Sequence, residues 1–229
     1  MQSSLLHRRQ VSKKANYKDY KQDLRDDFLY SCAYCTTAET ELSAKRFEIE
    51  HYLPQKHFPQ LRNQYQNLLW CCEDCNSNKG DFYPGLGGDF RGYSVFRPDR
   101  HKIEDHFLIE GNEIKGKTEY IGTFTIKLLR LNSKRLTDLR LRRRAKDDLE
   151  ESIVYGIRHL EVLLRRPGSK THQSKIFQSI AQLKLLKESY EDALRQIAKQ
   201  RCAAGEQEPD PAKSTQLRDR QKYLASLKK

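Results

Sequence analysis

Two stretches decide how this chain reads: E-I-E-H-Y-L-P at Glu48–Pro54 and N-L-L-W-C-C-E-D-C-N at Asn67–Asn76, the second running on as S-N-K-G at Ser77–Gly80. They belong with C-A-Y-C at Cys32–Cys35, because together they contain two Cys-x-x-Cys pairs separated by 36 residues. Each pair can present two sulfurs from one tight turn, and two turns complete a tetrahedron, so Cys32, Cys35, Cys72 and Cys75 are expected to hold a structural Zn2+. A four-thiolate zinc is closed. It is expected to brace the fold and not to bind substrate. A bare zinc knuckle would not need Glu50-His51 between the pairs, or Asn67, Asn76 and Lys79 around the second one. Cys71 adjoins Cys72 and could compete as a ligand; the C-x2-C spacing favours Cys72 and leaves Cys71 for the core on the opposite side of the strand.

Working outward, Phe47–Tyr52 reads as a strand, and Pro54 biases Leu53 toward an extended backbone. Period two puts Glu48 and Glu50 on one face and His51 on the other, so Glu50 and His51 share a site only if the strand ends or bulges there. Glu48 is a second carboxylate, available to Lys45 or Arg46. Leu68, Leu69 and Trp70 form an apolar second strand, and Asp74 to Asp81 a short helix. Upstream, Tyr17, Tyr20, Leu24, Phe28 and Leu29 recur at helical spacing, which predicts a helix packed against the metal domain. Tyr30 and Tyr34 read as packing residues, and residues 1–15 as a flexible basic arm.

The combined pattern C-x2-C, E-H-x-x-P and N-L-L-x-x-C-x2-C-N-x2-K, spread over residues 28–84, resembles the HNH endonucleases, the ββα-metal group. Its closer wording is similar to the PtuB family, the HNH component of two-gene Septu anti-phage systems, with relatives among retron effectors. The resemblance implies an α+β fold: a zinc-stabilised ββα-metal core with an N-terminal helix and a mainly α-helical C-terminal region. It implies that His51 is the general base at the end of the first strand, with Glu50 beside it as a ligand of a catalytic Mg2+ or Mn2+. Most HNH sites have aspartate where Glu50 stands. Asn76 would supply the second protein ligand, Asn67 would hold the loop that carries the histidine, and Lys79 would contact the phosphate next to the scissile one. A PtuA-like, AAA/ABC-like ATPase is the implied partner, and anti-phage defence the implied setting.

Charge and composition set the outer bounds. Charged residues are 32% and the formal net charge is +12, which favours a polyanionic partner. Residues 1–98 hold 14 Lys+Arg against 12 Asp+Glu, a net of +2, so residues 99–229 carry the other +10. One metal site accounts for four of the six cysteines, leaving Cys71 and Cys202, and the start of the chain has no apolar signal segment. A reducing, cytoplasmic setting is expected. No run approaches 18 apolar residues, which excludes a transmembrane helix.

The remaining chain divides as follows. Residues 1–29 are a basic arm and N-terminal helix, 30–95 the HNH nuclease domain, 96–131 a mixed connector with a small hairpin turning at Gly111, and 132–229 a helical region for partner docking. Residues 83–93 are an irregular glycine- and aromatic-rich loop. Asn132 is the expected N-cap of a long helix from Ser133 to Arg166. Pro167-Gly168 ends that helix, residues 173–201 form a second, residues 205–213 a break, and a short tail helix follows. Residues 126–146 hold nine Lys+Arg and one acidic residue, and Arg140, Arg142, Arg143 and Arg144 are candidate contacts to a phosphate backbone. A solvated helix face is the competing reading of that segment. The functional expectation is a metal-dependent HNH endonuclease acting on nucleic acid, with DNA favoured. Two alternatives stand beside it: an RNA-cleaving effector of the same system, and a catalytically inactive zinc-stabilised binding or assembly subunit.

Overall fold

The structure is a computed structural model that describes residues 6–43, 46–166, 172–201 and 210–227. Its centre is an antiparallel hairpin followed by a helix. After the short helices α1 (Lys21–Asp27) and α2 (Glu39–Leu42) come β1 (Phe47–His51), β2 (Leu68–Cys72) and α3 (Glu73–Lys79). The register pairs Phe47 with Cys72, Ile49 with Trp70, Glu50 with Leu69 and His51 with Leu68. All five residues of β2 are buried, so neither face of the hairpin is left to solvent there. Both α1 and α3 pack on β2. This is why β2 reads as a continuous apolar run and not as an alternation. Gly80 ends α3 at φ +52, a left-handed position that a glycine adopts at little cost.

The N-terminal side of the hairpin is held by buried polar pairs. Glu39 accepts from the Arg25 guanidinium at 3.0 and 2.7 Å and from Trp70 Nε1 at 2.8 Å. Asp27 accepts from Arg9 Nε and from the Tyr65 hydroxyl, both at 2.6 Å. The arm therefore differs from the expectation of a flexible segment. The Arg8 side chain is 4% exposed, donates to the Tyr65 carbonyl at 2.8 Å and lies 4.2 Å from the Tyr65 ring centroid, while Leu6 N–H reaches the Pro98 carbonyl. A buried guanidinium stacked on an aromatic fixes its own backbone, so residues 6–15 are part of the domain.

Downstream, α4 (Ile103–His106) leads into a second hairpin, β3 (Phe107–Glu110) and β4 (Glu113–Gly116), and then α5 (Phe124–Leu128). Gly111 makes the turn at φ +58. A Cβ on Gly122 would collide with the His106 carbonyl, so only glycine lets this turn close on α4. Asn132 stands before the long helix, but its amide accepts from Ile114 N–H and donates to Ile114 C=O, both at 2.8 Å. It extends β4 as a strand residue would.

The long helices are α6 (Lys134–Leu164) and α7 (Gln173–Arg201). The expected break at Pro167-Gly168 lies outside the described residues, as do Lys45, Cys202 and most of 205–213. The chain forms two compact units, Met1–Thr137 with Arg201–Lys229, and Asp138–Gln200. The tail helix α8 (Pro211–Ser226) thus belongs with the hairpin unit and not with the helical region to which it was assigned. Leu217 packs on Leu29 and Ala38, Gln221 donates to the Thr36 carbonyl at 2.9 Å, and Leu224 and Leu227 pack on Phe96, Ile103 and Phe107. No described helix is long and apolar enough to cross a membrane.

Candidate functional site

The ligating atoms of Cys32, Cys35, Cys72 and Cys75 all lie within 4.8 Å of one another, and all four residues are buried. Cys35 Sγ and Cys72 Sγ are 3.7 Å apart. A tetrahedron with Zn–S bonds of about 2.3 Å has sulfurs about 3.8 Å apart, so the donor set fits zinc. The electrostatics agree. Burial pushes the Cys32 thiol up, hydrogen bonding from Cys32 and the other thiols raises Cys75, and the surrounding S–H donors hold Cys72 far below its ordinary value. A dication bound among these sulfurs would favour the thiolate form of its ligands.

Cys71 is not set apart from this cluster. Its Sγ lies 3.7 Å from Cys32 Sγ, and burial raises its thiol. The strand turns into α3 at Cys72, and this brings adjacent sulfurs to the same cluster.

β1 stays in register through His51, and the hairpin ladder continues with Tyr52 N–H donating to Asn67 C=O at 2.9 Å. The bulge needed to bring Glu50 and His51 to one face is absent. His51, half-buried, turns to the N-terminal side: Nε2 is 2.9 Å from the Arg62 carbonyl, and the Tyr17 ring meets the imidazole edge-on at 4.9 Å between centroids. A carbonyl can only accept, so the neutral ring carries its proton on Nε2 and its lone pair on Nδ1. Burial lowers the His51 pKa below 6.5, which keeps that lone pair available at neutral pH.

Asn67 fixes the segment around this histidine. Its Oδ1 accepts from Leu53 N–H at 2.9 Å, and its Nδ2 donates to Leu53 C=O at 3.0 Å and, more loosely, to Leu61 C=O at 3.5 Å. It ties the chain just after β1 to the chain just before Arg62, the two pieces that set the imidazole.

Glu50 turns the other way and is only 2% exposed. Its Oε1 is 2.6 Å from Lys79 Nζ and its Oε2 accepts from the Tyr34 hydroxyl at 3.0 Å. Lys79 Nζ also donates to the His51 carbonyl at 3.2 Å. Lys79 is 3% exposed, so the expectation of a lysine reaching a substrate phosphate is not met in this arrangement, nor is that of a surface lysine. Asn76 lies one turn before Lys79, half-buried, with no side-chain hydrogen bond among the described residues. A hard divalent ion does not fit this donor set as it stands, because both Glu50 oxygens are engaged and one of them by a cation.

Other expectations shift in the same way. Arg46 pairs with Glu73 at 3.0 Å and Asp74 at 3.3 Å and not with Glu48, which is exposed. Arg135 joins Asp74 at 2.9 Å. These side chains border a cleft of about 400 Å³ with Asn78 and Arg130, and none of Glu50, His51 or Asn67 lines it. Arg140, Arg142, Arg143 and Arg144 lie on α6 within the second unit, with Arg142 and Arg144 exposed. The contacts that sequence reading missed are Tyr34 on Glu50 and the Arg62 carbonyl on His51. The tyrosine's place inside the first cysteine pair could have marked it; a backbone carbonyl leaves no mark in a sequence.

A ββα unit with clustered cysteine pairs, a strand-terminal histidine and a stapling asparagine defines a class. Residues 32–82 match the model of the HNH endonuclease family, and this segment is an HNH endonuclease domain. Over 101 residues, 44% of this chain, the sequence is also 33% identical to the Septu protein PtuB of Bacillus thuringiensis. That match covers 36% of the relative, so the chain spans well under two thirds of the length of the protein it resembles.

Proposed function

We propose that this protein is a metal-dependent endonuclease that hydrolyses nucleic-acid phosphodiester bonds, DNA first, and acts in anti-phage defence beside a PtuA-like ATPase. The observation that carries the reading is the His51 imidazole, with Nε2–H on the Arg62 carbonyl and Nδ1 bearing the lone pair. Hydrolysis joins a water oxygen to phosphorus and breaks one P–O ester bond, and the departing sugar oxygen takes a proton from solvent. His51 Nδ1 takes the proton that the water loses, while Arg62 C=O keeps hold of the other nitrogen and favours the imidazolium that forms. Asn67 keeps the two backbone pieces in place during that transfer. Mg2+ or Mn2+ would supply charge stabilisation at phosphorus, and Glu50 and Asn76 would be the chain's oxygen donors to it only after Glu50 is released from Lys79.

Arg140, Arg142, Arg143 and Arg144 extend this reading to the phosphate backbone. A partner surface on the second unit is supported by large apolar side chains left in water, among them Leu141, Leu149 and Tyr155 on α6 and Phe177, Leu185 and Leu186 on α7. The PtuA-like ATPase implied by the sequence resemblance is the occupant proposed for it. A cytoplasmic setting goes with that assignment.

The test is cleavage of plasmid, single-stranded DNA and RNA by the chain with its ATPase, using His51→Ala as control. Loss of cleavage with zinc content unchanged supports the proposal, and full cleavage by the variant overturns it. Cleavage of RNA alone would replace DNA as substrate. Binding without hydrolysis in Mg2+ or Mn2+ would leave an inactive binding subunit.

A further inference from the structure

The Glu50 carboxylate has a complete set of partners supplied by the protein itself. Lys79 Nζ is 2.6 Å from Oε1, and the Tyr34 hydroxyl donates to Oε2 at 3.0 Å. The ammonium has its own shell as well: the His51 carbonyl at 3.2 Å and the Tyr52 ring at 6.0 Å from its centroid. Both side chains of the pair are at most 2% exposed, so water screens this attraction little. A divalent ion brought to Oε1 would meet a buried positive charge already seated there. Like charges within one carboxylate's reach repel strongly in a dry site.

We infer that Lys79 is an internal counter-ion that holds Glu50 closed to divalent metal, so that metal binding and the Lys79–Glu50 pair exclude one another. The inference deepens the nuclease reading and rests on it for its meaning, but its test does not need cleavage. Two features make the pair releasable. Lys79 is the last residue of a seven-residue helix, and Gly80 behind it sits at φ +52, so the ammonium hangs from the end of an element and not from its middle. The neighbouring donor Asn76 makes no side-chain hydrogen bond among the described residues, and its amide oxygen needs no such release.

The experiment is calorimetric titration of Mn2+ into the zinc-loaded full chain. The wild type is expected to bind Mn2+ weakly and with no dependence on Glu50. Lys79→Met is expected to gain one site at least tenfold tighter, and Lys79→Met with Glu50→Gln to lose it. Removing one partner of a buried pair can unfold a protein, so retained zinc and a cooperative melt are checked for each variant. If Lys79→Met does not fold, the comparison passes to the wild type and the charge-free double variant, and equal weak binding supports the inference. Mn2+ binding by the wild type that Glu50→Gln abolishes would overturn it, as would a folded Lys79→Met no tighter than wild type. Failure of the nuclease reading appears separately, as cleavage by His51→Ala.

Discussion

Replacing Asn67 by alanine removes three hydrogen bonds at once without touching the zinc cluster. Two are well made, at 2.9 and 3.0 Å to the Leu53 backbone; the third, to Leu61 at 3.5 Å, is too long to contribute much. At a net value of about 1 kcal/mol each, the two good bonds account for about 2 kcal/mol, more if Leu53 N–H and C=O stay dry. In a protein of this size that lowers the melting temperature by about 4–8 °C. The larger effect falls on chemistry. The Leu53 and Leu61 segments flank the Arg62 carbonyl that orients His51, and a misplacement of about 1 Å at a reacting group costs on the order of 100-fold in rate. Asn67→Asp separates stapling from mere polarity: it still accepts from Leu53 N–H but turns a carboxylate toward two carbonyls, so it should be worse than alanine. The assay is thermal melting with zinc quantified, followed by plasmid cleavage. A variant that melts within 1 °C of wild type, as judged against the ~4–8 °C expectation, and cleaves at the same rate would refute the staple.

Acidification should destabilise the protein. Burial lowers the pKa of His51, His101 and His106 below 6.5, with His106 adding to the effect on His101. A histidine lowered on folding contributes stability that is complete above the unfolded value and is lost as pH falls through the folded one. Melts across this range should therefore be flat above pH 6.5 and decline below it; a rising melting temperature on acidification would contradict these burials. Stripping zinc with a chelator should change Trp70 fluorescence, since Trp70 C=O accepts from Ala33 N–H at 2.8 Å inside the first cysteine turn; an unchanged spectrum after zinc loss would separate the two. Substituting alanine at both Arg142 and Arg144 should weaken binding to every duplex sequence alike and reduce the salt slope by about 1 for each arginine, measured by fluorescence anisotropy. Unaltered affinity would return that segment to a solvated helix face.

The parts of this fold that sequence made legible are those with a local rule. Two Cys-x-x-Cys turns specify a tetrahedron by spacing alone, and the apolar period from Leu136 onward foretold α6 and α7, the second at Gln173–Arg201. Period two correctly assigned Glu50 and His51 to opposite faces. The resemblance argued for a strand end or bulge there; β1 does end at His51, yet the two side chains still go to different partners, Lys79 and Tyr34 for Glu50 and the Arg62 carbonyl for His51. What stayed hidden was set by partners distant in the chain. Nothing near Arg8 announces Tyr65, and nothing near Glu50 announces Lys79, 29 positions later. Asn132 was legible as a residue at a helix start because caps are local; its two bonds to Ile114, 18 residues away, were not. The return of α8 to the first unit was unreadable for a similar reason: Leu217, Leu224 and Leu227 stand at helical spacing, but nothing in that stripe announces the distant segments it packs on.

The cysteines and the Glu50 carboxylate, read in the sequence as separate parts, are joined through shared segments. Both groups on the Glu50 carboxylate come from segments that the zinc site fastens. Tyr34 sits between Cys32 and Cys35, and Lys79 ends the helix that starts just after Cys72 and contains Cys75. A helix of seven residues does not persist alone, because its nucleation is barely repaid by so few hydrogen bonds. Cys72 and Cys75 hold its first turn, and that placement carries Lys79 one turn further to Glu50. Opening the cysteine cluster therefore frees both of Glu50's partners together. A zinc held by the cysteines would in this way govern the electrostatics of the Glu50 carboxylate without touching it.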